Sequence, residues 1–200
     1  MTGTTPPLDL MPQARIVARL AAEVPDARLD DRTPCPAYTV RHLLGHIAGL
    51  AVAFRDAARK DLGATTDTAP DSGTPTLSAA WRDELPRVLD ELGEAWREPA
   101  AWTGMTRAGG VDLPGDVAGA VAVDELVVHG WDLARATGLP YTPDETALRA
   151  TYAFLLAAEN DESRGDIFGP VVPVPDGAPL LDRTIGLSGR DPGWAPPTPG

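Results

Sequence analysis

The chain has one cysteine, Cys35, which cannot close an internal disulfide, so nothing in it argues for an oxidising compartment. Lysine is equally scarce, with Lys60 alone, and the net charge is -12. Nucleic-acid binding relies on clustered basic side chains, and here the arginines are dispersed among acids, as in Arg82-Asp83-Glu84. No apolar run approaches the roughly 18 residues that a membrane span requires. The opening Met1-Thr2-Gly3-Thr4-Thr5-Pro6-Pro7 lacks the basic region and apolar stretch of a secretory signal. These absences set the expectation of a cytoplasmic protein without nucleic-acid or membrane partners. Also missing are a G-x-S-x-G elbow, a P-loop, a dinucleotide-binding glycine motif after a strand, and a cysteine-rich zinc motif.

What is present is an ordinary globular balance, 43% hydrophobic and 23% charged, in a chain long enough to bury a core. Asp9 can cap a first helix, with Pro12 in its opening turn and Ile16, Val17, Leu20 and Val24 near one face. Thr39 can cap a second helix, carrying Val40, Leu43, Leu44, Ile47, Leu50 and Phe54 and reaching about Leu62-Gly63. The stretch 64–76 reads as a mobile surface loop. A third helix is marked from Leu77 to Leu92, through Pro86, and some short extended structure is expected between Trp102 and Val111. Asp116 can cap a fourth helix that stops at Gly138, and Asp144 a fifth, with Leu148, Tyr152, Leu155 and Leu156 turned inward. From Gly165 the chain is Pro-rich and reads as irregular. The resulting class is all-α, a bundle of four helices with long crossings and one helix more. The expected division is one domain over 1–190 and a frayed tail over 191–200.

The chemistry lies in three histidines and their neighbours. Glu125 and His129 are four apart on the fourth helix, so their side chains point the same way, one turn apart. Their flanks, Val123, Leu126, Val127, Val128 and Leu133, are apolar, and burying a carboxylate or an imidazole alone is costly. A divalent cation would satisfy both, with a third ligand from the second helix. His46 lies among Leu43, Leu44, Ile47 and Leu50 and is the chosen ligand. His42, one turn earlier, is left at the pocket rim as a proton carrier or a structural residue. Asp132 either orients His129 or is a charged helix-face residue. Cys35 is either a thiolate near a helix N-terminus or a small residue packed between prolines. Trp81, Trp96, Trp102 and Trp131 read as core.

The run Thr33-Pro34-Cys35-Pro36-Ala37-Tyr38-Thr39-Val40-Arg41-His42-Leu43-Leu44-Gly45-His46 resembles the first signature of the mycothiol-dependent maleylpyruvate isomerase N-terminal family. That family sits within the wider DinB/YfiT-like metalloenzymes. Glu125-Leu126-Val127-Val128-His129-Gly130-Trp131-Asp132-Leu133-Ala134 resembles the second signature. Phe168-Gly169-Pro170, Asp182-Arg183 and Gly189-Arg190-Asp191-Pro192 resemble the ending of a single-domain actinobacterial branch. The resemblance implies a DinB/YfiT-like four-helix bundle, up-down-down-up, with a divalent metal at one end held by His46, Glu125 and His129. Zinc is the expected ion, although the donor set also suits nickel or iron.

Mycothiol is the implied thiol, and the implied activity is a transferase or isomerase in which a metal-activated thiolate attacks a small electrophile. The alternative is a non-catalytic metal-binding bundle acting as a sensor or interaction module. Position 38 is Tyr where the signature often has Trp, and the isomerase's additional C-terminal domain has no counterpart in these 200 residues. A homodimer is left open, because periodicity does not separate an exterior apolar patch from core.

Overall fold

Each apolar stripe in the sequence becomes a helix whose ends are set by local chemistry. The computed structural model describes residues 8–69, 73–159 and 168–196. Helix α1 spans Met11–Glu23, and the Asp9 carboxylate accepts a hydrogen bond from the Met11 amide at its start. Helix α2, Val40–Arg59, opens with Thr39 at its N-cap, as the sequence predicts. It ends at Lys60, which adopts a left-handed conformation (φ 59°), rather than running on to Leu62-Gly63. Within the stretch read as a loop, Ala64–Asp67 forms a one-turn helix, α3.

Helix α4 covers Trp81–Ala95 and continues through Pro86. It starts later than Leu77 because the Ser78 hydroxyl accepts from the Ala80 amide and turns the chain before the helix begins. Strands β1 (Met105–Ala108) and β2 (Val111–Pro114) form an antiparallel hairpin with Ala108 opposite Val111, the short extended structure anticipated there. Gly109 and Gly110 close it with φ of 60° and 78°, the positive pair a two-residue hairpin turn demands.

Helix α5 runs Gly115–Thr137 and stops at Gly138. Its N-cap is Pro114, so Asp116 is a first-turn residue, where its charge suits the helix dipole, and not the cap. Helix α6, Glu145–Ala157, is capped by Asp144, whose carboxylate accepts from the Ala147 amide at 2.9 Å. Leu155 is buried as expected, but Leu156 is 46% exposed, because α6 packs on α5 through one side only. The C-terminal region is not wholly irregular. Leu180–Leu187 forms helix α7 after Pro179, too short for its periodicity to stand out among the surrounding prolines.

Cross-links between helices fix their directions. Arg15 at the start of α1 pairs with Asp90 near the end of α4, while Arg82 at the start of α4 donates to the Val24 carbonyl beyond the end of α1. These two helices are therefore antiparallel. Gly45 lies beside Thr76 and Leu77, and Arg55 beside Glu91, so α2 and α4 run the same way. A Cβ on Gly45 would come within 2.8 Å of the Thr76 carbonyl oxygen, so only glycine permits that approach. His46 meets Glu125 and His129, and the Lys60 ammonium lies beside Gly115 at the start of α5, which makes α2 and α5 antiparallel.

The order around the bundle is α1, α4, α2, α5, an up-down-down-up arrangement. Leu43, Leu44, Leu85, Leu89 and Leu133 fill its centre with no exposed surface. Helix α5 also packs against α6, and is buried on nearly every side. Gln13, fully buried in α1, donates to the Leu126 carbonyl and the Tyr141 hydroxyl and accepts from the Asp144 amide, tying α1, α5 and the start of α6 together. No helix among the described residues is long and apolar enough to cross a membrane.

Candidate metal centre

The candidate site lies where α2 and α5 face each other. His46 projects from the second turn of α2, and Glu125 and His129 from successive turns of α5. Their donor atoms lie within 4.8 Å of one another. Glu125 Oε2 is 2.9 Å from His129 Nε2 and 3.8 Å from His46 Nε2. Ligands about 2.1 Å from a tetrahedral ion stand about 3.4 Å apart, and the two measured separations bracket that value. The two imidazoles meet edge to face, with ring centroids 4.8 Å apart. Two imidazole nitrogens and one carboxylate are a donor set that fits a borderline-soft divalent ion.

The surroundings orient these donors. The Asp132 carboxylate is fully buried and lies 2.9 Å from His129 Nδ1, which commits the opposite nitrogen, Nε2, to the Glu125 side. Asp132 is thus buried against His129 and is not a charged residue on a solvated helix face. Asp132 is shared with Arg190, whose Nη2 stands 3.1 Å from Oδ2. Tyr38 covers the other flank, its ring 5.1 Å from that of His46.

His42 is not part of the cluster: its Nδ1 accepts from the Thr39 amide in the capping box of α2. Cys35 is partly buried in the adjoining loop, near enough to feel the charges of Arg190, Asp132 and Glu125. Burial pushes its thiol up, against the opposing pull of Arg190, so it is no ready thiolate. Trp81, Trp96 and Trp131 are buried, as read from sequence, and Trp102 packs partly buried against the core.

Arg190 is the site residue that sequence reasoning missed. It lies 58 residues beyond Asp132, in a segment read as irregular, and periodicity gives no signal for it. The segment expected to fray begins next to it. Within its described part, 191–196, the Trp194 amide donates to the Asp191 carbonyl, and Arg135 of α5 donates to the Trp194 and Pro192 carbonyls. Residues 197–200 lie outside the described residues.

Electrostatics couple the cluster tightly. Burial alone would raise the Glu125 carboxyl, but His129 and His46 outweigh it and hold it well below the usual carboxylate range. Burial likewise disfavours a charged His129, yet Asp132 and Glu125 prevail and push it from 6.5 up to about 9 in the metal-free protein. A folded-state value above the unfolded one adds stability that is complete below about 6.5 and lost as pH rises through about 9. The thermal midpoint of chelator-treated protein should therefore fall over that window, and His129→Gln should flatten the fall. An unchanged slope in the variant would place the titration elsewhere.

The fold and site define a helical bundle with a His–Glu–His cluster between antiparallel helices, one histidine backed by aspartate, a donor set that could hold a divalent ion. The chain belongs to the mycothiol maleylpyruvate isomerase N-terminal domain family, whose model matches residues 10–134. Two solved structures of the mycothiol-dependent maleylpyruvate isomerase, one of them a histidine-to-alanine mutant, share the fold. They superpose with TM-scores of 0.53 and 0.55 at 20% and 19% identity, the mutant being the second of each pair. Each alignment covers 72% of this chain and 65% of the solved chain, so the likeness takes in just under two thirds of those proteins. No curated protein matches the chain.

Proposed function

We propose that this protein is a thiol-dependent isomerase or transferase acting on a small electrophile, with a divalent ion held by His46, Glu125 and His129. The observation that carries the reading is the convergence of those three donors between α2 and α5, with Asp132 fixing the His129 ring. When bound, the ion supplies a Lewis acid that favours the deprotonated form of a coordinated thiol. Glu125, held ionised, supplies the anionic ligand, and His46 and His129 supply neutral nitrogens. Three protein donors leave a coordination position for an exchangeable ligand, as in catalytic zinc sites.

Charge supports an anionic partner there. The Glu125 and Asp132 carboxylates balance a divalent ion, and the nearby Arg190 guanidinium leaves the cluster one positive charge in excess. A single thiolate neutralises it. Family membership favours mycothiol as the thiol. The donor set of two imidazoles and one carboxylate suits zinc, with nickel and iron as the other candidates. The electrophile is one that a thiolate can add to or from which it can displace a group.

The test is a thiol-transfer and isomerisation screen on zinc-loaded protein, with mycothiol against maleylpyruvate and a panel of small electrophiles. Turnover that needs both thiol and metal, and disappears in Glu125→Gln, is the expected result. Stoichiometric metal without turnover by any thiol would instead leave a non-catalytic binding module.

A further inference from the structure

We infer that Arg190, supplied by the C-terminal segment outside the family-matched region, is a positioning residue for the metal centre, acting through Asp132 on His129. The inference rests on the metal-binding reading given above and extends it to a part of the chain that the family match does not reach.

The geometry is a three-member relay. His129 Nδ1 and Arg190 Nη2 both stand about 3 Å from Asp132 Oδ2, at 2.9 and 3.1 Å, and Arg190 Nε reaches Oδ1 at 3.4 Å. The guanidinium therefore grips both oxygens of a fully buried carboxylate. Arg190 is itself held in place. Its Nη1 donates to the Ser188 carbonyl and its amide to the Ile185 carbonyl of α7, while Gly189 turns the chain with a φ of 84°. On the other side, Arg135 fastens the 191–194 turn to α5 through the Pro192 and Trp194 carbonyls. Helix α7 and this turn thus form a strap anchored at both ends, with one side chain directed at the site.

The physical consequence follows from that two-point grip. Without the guanidinium fork, the buried Asp132 carboxylate loses the two contacts that fix the rotation of its oxygens. Rotation would release His129 Nδ1, and the ring could then turn, so that Nε2 no longer faces Glu125. With Arg190 in place, Asp132 is fixed as the partner of His129 Nδ1, and Nε2 stays directed at the Glu125 side. Residues that orient a metal-bound histidine in this way are worth tenfold to a hundredfold in metal affinity.

The experiment is zinc affinity by chelator competition, together with the visible spectrum of the cobalt(II) form, on the full chain. The variants are Arg190→Gln, Arg190→Lys, Asp132→Asn and the Arg190→Gln/Asp132→Asn pair, with Arg15→Gln as a surface control. Arg190→Gln should keep one equivalent of metal but bind it about tenfold to a hundredfold more weakly, with a shifted cobalt band. Arg190→Lys should recover part of the loss, because it keeps the charge and gives up the fork. In the Asp132→Asn background, Arg190→Gln should cost little more, a non-additivity that general loosening of the fold would not produce. Wild-type affinity and spectrum in Arg190→Gln, or full additivity in the pair, would overturn the positioning role while leaving the metal site intact. Failure of the wild-type protein to take up metal would overturn both readings together.

Discussion

His129→Ala should empty the metal centre and leave the bundle standing. Untagged wild-type protein, reconstituted with zinc and desalted, should carry about one equivalent of metal, as a site with three protein ligands does. The variant should carry essentially none, because two remaining protein ligands fall short of the three that such a site needs. His46→Ala should behave alike, although the two histidines sit on different helices. The fold should survive because Asp132, the one charged neighbour with no exposed surface, keeps Arg190 as its partner when His129 is gone. Elemental analysis with circular dichroism on the same samples separates metal loss from unfolding. Full metal content in both histidine variants would remove the assignment and, with it, the thiol chemistry proposed here.

Trp96→Ala should have the opposite signature, a large loss of stability at an unaltered centre. Trp96 follows the last residue of α4 and is completely buried. Its indole N–H donates to the Phe54 carbonyl of α2 at 3.1 Å, and its ring meets Trp102 edge to face with centroids 5.0 Å apart. The Trp102 indole in turn donates to the Trp96 carbonyl at 2.7 Å, which links the end of α4 to the crossing that leads into α5. Removing the ring deletes apolar contact, opens a cavity and strips Trp102 of its packing partner, a loss of about 3–5 kcal/mol. Denaturant titration would measure it directly. Trp96→Phe should recover most of the packing and lack only the hydrogen bond, a difference of about 1 kcal/mol. A cost below about 1 kcal/mol for Trp96→Ala would mean that the α2–α4 joint does not depend on this side chain. Metal content per folded molecule should equal that of wild type in both variants, since the joint lies near the opposite end of α2 from His46.

Some expectations transfer from sequence to structure because they are decided within a few residues. Thr39 caps α2 and Asp144 caps α6, since a side-chain oxygen next to exposed amides needs no distant partner. The i, i+4 relation of Glu125 and His129 is a property of any helix containing both. Other local readings shifted where a neighbour competed: Lys60 ends α2 early, and Pro114 takes the capping position read as Asp116. Helix α7 escaped notice because eight residues hold too few turns for a pattern to emerge.

The sequence by itself determined the five long helices, their apolar faces and the pair of donors on α5, because backbone geometry and burial of apolar stripes act over a single element. It also made His46 the favoured third donor. Only the tertiary structure decided how those groups meet. It placed His46 Nε2 3.8 Å from Glu125, kept His42 in the cap of its own helix, and brought Arg190 to Asp132 across 58 residues of sequence. Such contacts depend on which helices run antiparallel and where a Pro-rich strap is fastened. Those choices are made by the packing of the whole core, and no periodicity along the chain records them.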